Sequence, residues 1–164
     1  MPYSIGSEIQ TRELVNMKIG KIRALALCIV WRGEQILVSE GYDPDKPELF
    51  YRPLGGGIEF GERGHEAAAR EMQEELGADL RDLRYLGTLE SIFTYAGERG
   101  HEIIRLYAGT FTDPALYAQD EFVGHEAGYG DFKVIWRSLA DFRDGQPPLY
   151  PDGLLEVLTS QAHR

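Results

Sequence analysis

The sequence predicts an α/β fold in which β-strands surround one strong helix. Apolar segments of strand length recur along the chain, and the clearest of them, residues 22–31, is rich in aliphatic and β-branched side chains. Residues 65–76 consist instead almost wholly of good helix formers. A chain of 164 residues is long enough to bury a substantial core and is typical of one domain. We therefore expect a single domain over residues 1–164.

The first third of the chain is predicted to alternate between strands and turns. Residues 1–20 have weak periodicity and are expected to form an arm or an edge strand. The polar residues between the apolar segments that follow favour a hairpin. The predicted order is a strand over 22–31, a turn over 32–34, its hairpin partner over 35–40, a loop over 41–48 and a short strand over 49–54 that leads into the glycines.

The predicted helix over 65–76 ends at Gly77, which occupies the position typical of a C-terminal cap glycine. At about 100° per residue, three carboxylates share one arc of this helix. We call this the acidic arc; it comprises Glu71, Glu74 and Glu75. We expect the acidic arc to be open, and a second, apolar arc to face the core; the second arc comprises Ala68, Ala69, Met72 and Leu76.

The second half of the chain is predicted to return to strands and to end in a helix. Turn-forming residues separate the apolar segments, and the end of the chain has the periodicity of a short amphipathic helix with Asp152 as its cap. The predicted elements are one or two strands over 81–95, a turn over 96–100, strands over 101–111 and 131–139, and the helix over 152–164.

Composition and charge exclude several classes of function. The net charge of −10, from 27 acidic residues against 17 Lys and Arg, argues against broad binding to nucleic acid. It leaves a phosphate-bearing substrate open, because metal ions supply positive charge locally. No apolar run approaches the ~20 residues of a membrane span, and the N-terminus lacks the pattern of a signal peptide. We therefore expect a cytoplasmic protein.

The only cysteine, Cys28, rules out an internal disulfide. It lies in the middle of an apolar segment, where a lone cysteine is usually a small core residue.

Two interpretations of the acidic arc are open from the residues alone. Charged clusters on helices are most often solvated faces, and this is the simpler interpretation. However, acidic residues three and four positions apart weaken a helix when no lysine at matching spacing offsets them. A divalent cation removes that repulsion, and carboxylate oxygens suit magnesium or manganese. The acidic arc is then a metal site.

The spacing of residues from Gly56 to Ala78 carries more information than the arc. Five residues separate Gly56 from Glu62, and seven more precede the pair Arg70-Glu71. An aliphatic residue, any residue, the pair Glu74-Glu75, one further residue, a glycine and a small apolar residue follow. This pattern resembles the Nudix box at every fixed position. One departure is that "LGGG" (54–57) stands where the family often has Pro-Gly-Gly.

The resemblance implies a fold and a reaction. The fold of the family is an α/β/α sandwich with a mixed central sheet. The reaction is metal-dependent hydrolysis of a phosphoanhydride bond in a nucleoside diphosphate linked to another moiety, with Mg²⁺ or Mn²⁺ as cofactor. The partner is then a small-molecule diphosphate of nucleotide type, and a homodimer is one arrangement open to such a protein.

The resemblance also implies roles for individual residues. The metals would be held by Glu71, Glu74 and Glu75, joined by a backbone carbonyl of the glycine loop at Gly55. Glu62 and Arg70 would form a buried pair that orients the helix against this loop and supports catalysis. Glycines allow backbone groups to approach metals closely, and a helix is a rigid mount for ligands.

A further carboxylate is expected from the acidic loop over 117–131, because family members often use one from the loop before the last strand. Glu121 and Glu126 are the candidates for a catalytic base, and Asp120 is interpreted as solvated. We favour Glu126, since the glycines around it in "GHEAG" would let the loop fold inward. Glu74 is the alternative base, because family members differ on this point.

The substrate is expected to be recognised outside the box. Arg52 lies at the entrance to the glycines and is a candidate phosphate ligand, with a surface strand arginine as the alternative. Tyr51, Phe93 and Tyr95 are candidates to stack on a base, although packing in the core or at its rim is the commoner role for such residues. Residues 97–102 are expected to form a loop over the site.

Two other functions are open. One is a non-catalytic Nudix domain that senses a nucleotide, although such domains usually lose box glutamates and none is lost here. The other is an isomerase acting on a prenyl diphosphate, a chemistry that uses a reactive cysteine in a related family. The position of Cys28 in an apolar strand disfavours a catalytic thiol.

Overall fold

The computed structural model describes residues 20–161. The strands are β1 Ile22–Arg32, β2 Gln35–Asp43, β3 Glu48–Arg52, β4 Leu54–Gly57, β5 Leu80–Tyr95, β6 Glu98–Phe111, β7 Glu121–Glu126 and β8 Gly130–Ser138. The α-helices are α1 Gly64–Leu76 and α2 Leu154–Gln161, and two short 3₁₀ helices cover Pro114–Ala118 and Leu139–Phe142. The arm or edge strand expected over 1–20 lies, apart from its last residue, outside the described residues. No helix within the described range has both the length and the apolar character needed to cross a bilayer.

The sheet is mixed and consists of two half-sheets joined at the end of β1. In the first half-sheet, β1 pairs in parallel with β6 and antiparallel with β4, and β5 pairs with β6. In the second, β2 lies between β3 and β8, and β7 pairs with β8. Only the turn-proximal ends of β1 and β2 pair with each other, from Trp31 to Ile36 and from Arg32 to Gln35. The predicted hairpin therefore forms, and its two strands then continue into different half-sheets.

Helices cover both faces of this sheet, which confirms the α/β/α sandwich. Alternation along β1 separates two cores. Ala26, Cys28 and Val30 belong to the core that contains buried residues of α1. Leu25, Leu27 and Ile29 belong to the core that contains buried residues of α2. A strand that is buried on both faces has the continuous apolar sequence from which this element was predicted.

Two predicted loops differ from the structure near the site. The glycines do not form a loop: residues 54–57 are strand β4, paired antiparallel with residues 25–28 of β1. The expected loop over 97–102 is also wrong. Ala96 and Gly97, both with positive φ, form a two-residue turn, and β6 begins directly after it at Glu98. This turn geometry is the usual one for tight hairpins.

Two more expectations are corrected toward the end of the chain. Residues 121–126, expected within a loop, form β7 and pair in register with residues 130–135 of β8. The C-terminal helix begins at Leu154 rather than next to Asp152. Asp152 lies in the preceding turn, so it does not occupy the cap position, and its expected role as a cap is wrong. Residues 162–164 of the predicted helix lie outside the described residues.

Candidate active site

Helix α1 ends where predicted, at Leu76, and begins one residue before the predicted start, at Gly64. Its first turn is fixed by Glu66, whose carboxylate accepts a hydrogen bond of 2.7 Å from the backbone N–H of Arg63. Its last turn ends at Gly77, which has φ of 65° and donates its N–H to the carbonyl of Gln73 at 2.8 Å. This left-handed conformation is the one that favours glycine after a helix.

The helical wheel predicted an open acidic arc, and this expectation is wrong in part. The acidic arc overlaps the buried side of α1. The buried residues of the helix are Ala67, Ala68, Met72 and Glu75. Glu75 is only 4% exposed, whereas the side chain of Glu74 is 58% exposed. The helix packs on β4, β1 and β7, and the glycines of β4 let it come close enough to cover two of the three carboxylates.

The contact between Gly56 and Glu71 sets this approach. A Cβ atom placed on Gly56 would lie 2.5 Å from Oε1 and 2.6 Å from Cδ of Glu71. No real side chain tolerates such distances, so the carboxylate occupies the space that a side chain at position 56 would need. Neighbouring Gly57 is different, because the nearest atom to its added Cβ is 3.9 Å away.

Arg70 connects the helix to the segment that precedes it. Its Nε and Nη2 donate to the two carboxylate oxygens of Glu62 at 2.7 and 3.0 Å. Nη2 also donates to the carbonyl of Gly57 at 2.9 Å. Nη1 donates to Glu71 at 3.0 Å and to Glu74 at 3.2 Å. One guanidinium thus holds the helix, β4 and the intervening loop in a fixed relation, through bidentate and charge-assisted bonds.

This arrangement shifts the pKa of several groups. Burial raises the pKa of the Glu71 carboxyl, and the negative charges of Glu74 and Glu126 act in the same direction against the opposing effect of Arg70. Hydrogen bonding to Arg70 lowers the pKa of Glu62. The same bond raises the pKa of the Arg70 guanidinium. Glu71 is therefore a partly buried carboxylate near two other carboxylates, an environment that a cation relieves.

The donor chemistry of the acidic arc fits a divalent cation. Glu71, Glu74 and Glu75 offer hard oxygen atoms of the type that magnesium and manganese prefer, and the space beside Gly56 admits a carboxylate where a side chain would not fit. Within residues 20–161, no three carboxylate, imidazole or thiol side chains converge closely enough to enclose an ion. Arg70 is bonded to two of the carboxylates in this arrangement.

Gly55 lies beside this cluster in a backbone conformation that requires glycine. Its φ is 145°, and an added Cβ would overlap the carbonyl oxygen of Ala26. Its backbone pairs with Leu27 of β1. The residue whose carbonyl was expected to face a metal is therefore held in a strand rather than in a loop.

Strand alternation separates the two candidate carboxylates of β7. Phe122 and Gly124 are the less exposed residues of the strand, and Glu126 shares their side. Its charge reaches Glu71, since it contributes to the raised pKa of that residue. Glu121 lies on the opposite, exposed side, where its carboxylate is 3.7 Å from Nζ of Lys133. Of the two, only Glu126 is brought to the acidic arc.

A pocket of about 380 Å³ adjoins the acidic arc, and its walls come from both half-sheets. Gly55 and Gly56 form the boundary between the pocket and the helix. Arg52 and Phe93 line it, as expected for residues that contact a substrate. Within the described residues, no carboxylate forms an ion pair with Arg52. Tyr95 also lines the pocket, but its hydroxyl is bonded to the carbonyl of Tyr42 at 2.7 Å.

Tyr51 does not reach this pocket. Because neighbours in a strand point in opposite directions, Tyr51 faces away from the side on which Phe50 and Arg52 line the pocket. Its ring packs 5.9 Å from that of Phe142, centre to centre, and its hydroxyl donates to Glu40 at 2.8 Å. It is a core residue, 4% exposed, and the expectation that it contacts a substrate is corrected.

The pocket residues that sequence reasoning missed include Arg23, Ser91 and Glu102. Arg23 is a charged residue near the start of the largely apolar strand β1, which is a detectable signal, whereas Glu102 is one of several charged residues in β6. Their mutual contact depends on the parallel pairing of β1 with β6 across 79 positions of sequence. No local pattern indicates such a pairing.

The structure is therefore an α/β/α sandwich with a mixed sheet, in which a glutamate-bearing helix packs on a glycine strand. A family model described as the NUDIX domain matches residues 21–152. The chain therefore belongs to the Nudix family, and this membership supports a hydrolase activity.

Solved structures of Nudix proteins share the fold at low sequence identity. The NUDIX hydrolase from Nitrosomonas europaea is 17% identical, with a TM-score of 0.60 and coverage of 87% of this chain and 90% of the other. The MutT NUDIX hydrolase from Burkholderia pseudomallei is 20% identical, with a TM-score of 0.54 and coverage of 73% and 85%. A NUDIX-family hydrolase from Clostridium perfringens is 18% identical, with a TM-score of 0.54 and coverage of 85% and 97%. At these identities the likeness shows the fold alone.

Proposed function

We propose that this protein hydrolyses a phosphoanhydride bond in a nucleoside diphosphate linked to another moiety, with Mg²⁺ or Mn²⁺ as cofactor. The observation that carries the proposal is the close approach of Glu71, a member of the acidic arc, to Gly56, which lines the pocket. Anionic groups in the pocket would lie close both to the carboxylates of α1 and to the cationic side chains that line the pocket. We further propose that it acts in the cytoplasm on a small molecule. A homodimer stays a prediction.

The proposal assigns separate roles to the residues of the acidic arc and to the residues that position the helix. Glu71, Glu74 and Glu75 would hold the cation, with the carbonyl of Gly55 as a further ligand. When bound, the cation neutralises charge on the diphosphate and activates water for attack. Arg70 and Glu62 fix the orientation of the helix and act as positioning residues.

On the other side of the reacting bond, Arg52 is proposed to hold a phosphate and Phe93 to contact the organic part of the substrate. A guanidinium suits phosphate oxygens because it donates through a planar fork. Glu126 is proposed as the base that accepts the proton of the attacking water, since its carboxylate lies near the acidic arc. Glu74, the exposed carboxylate of the arc, is the alternative base.

The environment of Cys28 does not support the alternative function, a prenyl diphosphate isomerase. Cys28 is 1% exposed in the core beneath α1, and burial raises the pKa of its thiol to about 12. Such a thiol is protonated and unreactive at neutral pH. A non-catalytic sensing domain remains the second candidate, and turnover distinguishes it from an enzyme.

A panel of nucleoside diphosphates linked to other moieties, tested with and without Mg²⁺, addresses the proposal. We expect at least one compound to release nucleoside monophosphate or phosphate, and a chelator to abolish this release. Metal at one hundred times its dissociation constant should also stabilise the fold by about 2.7 kcal/mol, seen as a rise in melting temperature. Binding of a nucleotide without turnover would favour the sensing domain.

Variants of the acidic arc test the site, and a variant of α2 is the control. Glu74→Gln and Glu75→Gln should each lower kcat by orders of magnitude, because each removes a charged metal ligand. Glu156→Gln removes the same charge from an exposed position on α2 and should leave kcat unchanged. Wild-type rates in both arc variants would contradict the proposed site.

A further inference from the structure

A row of three polar side chains crosses the first half-sheet at the pocket. Ser91 of β5 lies directly opposite Glu102 of β6, and Glu102 lies directly opposite Arg23 of β1. All three line the pocket. Neighbouring strands are about 4.8 Å apart, so the row places a hydroxyl, a carboxylate and a guanidinium at successive steps of one strand spacing.

The neighbouring row shows how unusual this is. Two residues along each strand, Leu89 is paired with Ile104, and Ile104 with Leu25. All three belong to the core around α2. The polar row therefore lies on the same face of the sheet as this apolar row, where the hydrophobic core would otherwise continue.

Two members of the polar row are buried although they are polar, and Arg23 is half-buried. Glu102 is 4% and Ser91 is 7% exposed. Buried carboxylates require partners, because the desolvation of the charge is otherwise uncompensated. The partner of Glu102 is Arg23, whose Nη1 donates to Oε1 at 3.4 Å. Among the residues that the structure describes, this bond engages Oε1 alone, and Glu102 lines the pocket.

The cationic end of the row lies nearest the glycines. Arg23 is close to Gly57 of β4, with Nη2 3.9 Å from the position of an added Cβ. Its charge interacts with that of Arg52, which also lines the pocket. Two arginines beside Gly55 and Gly56 favour the phosphates of a substrate. The carboxylate of Glu102, one strand spacing further on, favours a group that donates hydrogen bonds.

In a nucleoside diphosphate, the sugar follows the phosphate directly and carries the nearest donors. We propose that Glu102, assisted by Ser91, accepts hydrogen bonds from the ribose hydroxyls, so that the enzyme selects ribonucleoside diphosphates over 2′-deoxyribonucleoside diphosphates. This inference rests on the proposed function, because it assigns the unit next to the phosphates. Glu102 is then a specificity-determining residue rather than a catalytic one.

Binding measurements test the selectivity without requiring turnover. Dissociation constants of the four common ribonucleoside diphosphates and their 2′-deoxy counterparts are measured by calorimetry with Mg²⁺. We expect the ribo form of the best-bound base to bind roughly tenfold more tightly, or better, which is the effect of one hydrogen bond to a charged group. In Glu102→Gln this ratio should fall to about threefold or less.

The ratio isolates the sugar contact from effects on Arg23. Loss of the Glu102 charge also frees Arg23 to bind phosphate, but that effect applies equally to both forms and cancels. Ser91→Ala should reduce the ratio less than Glu102→Gln does. Glu90→Gln, on the exposed side of β5, is the matched control and should keep the wild-type ratio.

The outcomes separate this inference from the function on which it rests. Equal binding of ribo and deoxy forms by the wild type, or a ratio unchanged in Glu102→Gln, would overturn the role of Glu102. Failure of all eight diphosphates to bind would overturn it as well. Neither result bears on hydrolysis itself, which the cation-dependent turnover panel decides with compounds linked to other moieties.

Discussion

The carboxylate of Glu71 and a side chain at position 56 would compete for the same space. The carboxylate of Glu71 lies where a side chain at position 56 would be, so the residue without a side chain determines where the carboxylate can rest. An added methyl group can be accommodated only by moving the end of the glutamate, because the backbone of β4 is paired with β1.

We expect Gly56→Ala to fold and to lose activity. The displaced carboxylate should weaken metal binding and lower kcat about a hundredfold, since misplacement of a catalytic group by about 1 Å has effects of that size. Kinetics at saturating Mg²⁺ and metal titration by calorimetry measure both effects. Gly57→Ala is the control, because its Cβ meets no atom closer than 3.9 Å. Equal activity of the two variants would contradict this account.

Residues of the site differ in how far the sequence predicts them. Glu71, Glu74 and Glu75 follow from spacing on one helix, because helical periodicity is local. Tyr51 was misassigned because the side of the strand that faces the pocket depends on tertiary packing. Arg23 and Glu102 come together only through the parallel pairing of β1 with β6, which no local pattern specifies.

At the scale of elements, α1 is positioned by a loop and a strand together. The helical wheel correctly grouped the three carboxylates and correctly predicted the burial of Ala68 and Met72. It did not predict the burial of Glu75, because the wheel describes a helix without neighbours, whereas the glycines of β4 let this helix approach the sheet closely. The element and its C-terminal limit were predictable, and the full extent of its buried side was not.

The bond between Glu62 and Arg70 should make the anchoring of α1 sensitive to acid. The pKa of Glu62 is lowered in the folded state, so its contribution to stability is present above the ordinary glutamate pKa of about 4.3. That contribution is lost as pH falls through the lowered folded value. Glu62→Gln should therefore melt about 3 °C below the wild type at pH 7, for a loss of roughly 1 kcal/mol.

Melting curves recorded from pH 7 down to pH 3 test this. The difference between wild type and Glu62→Gln should narrow as the pH falls below about 4.3, because the carboxyl of the unfolded wild type is protonated first and that of the folded protein follows at its lowered pKa. Glu59→Gln changes an exposed carboxylate of the same loop and should follow the wild type throughout. A difference that stays constant with pH would show that the charge of Glu62 is not what anchors the helix.

At the scale of the whole molecule, α1 bridges the two half-sheets. It packs on β4 and β1 of the first half-sheet and on β7 of the second. This bridging brings Glu126 of β7 close enough to influence the pKa of Glu71. The pairing of β7 with β8 also fixes which carboxylates of this segment face the helix, a choice that was left open when the segment was interpreted as a loop.

We expect Glu126→Gln to lower kcat about a hundredfold or more, as loss of a general base does, and to remove the limb of the pH–rate profile that rises toward alkaline pH. The physical reason is that an amide cannot accept the proton of the attacking water. Glu121→Gln removes the same charge from the opposite side of the same strand and should keep both the rate and the profile. Weaker metal binding with an unshifted profile in Glu126→Gln would make Glu126 a metal ligand instead. Near-wild-type behaviour of both variants would exclude β7 from the reaction and leave Glu74 as the base.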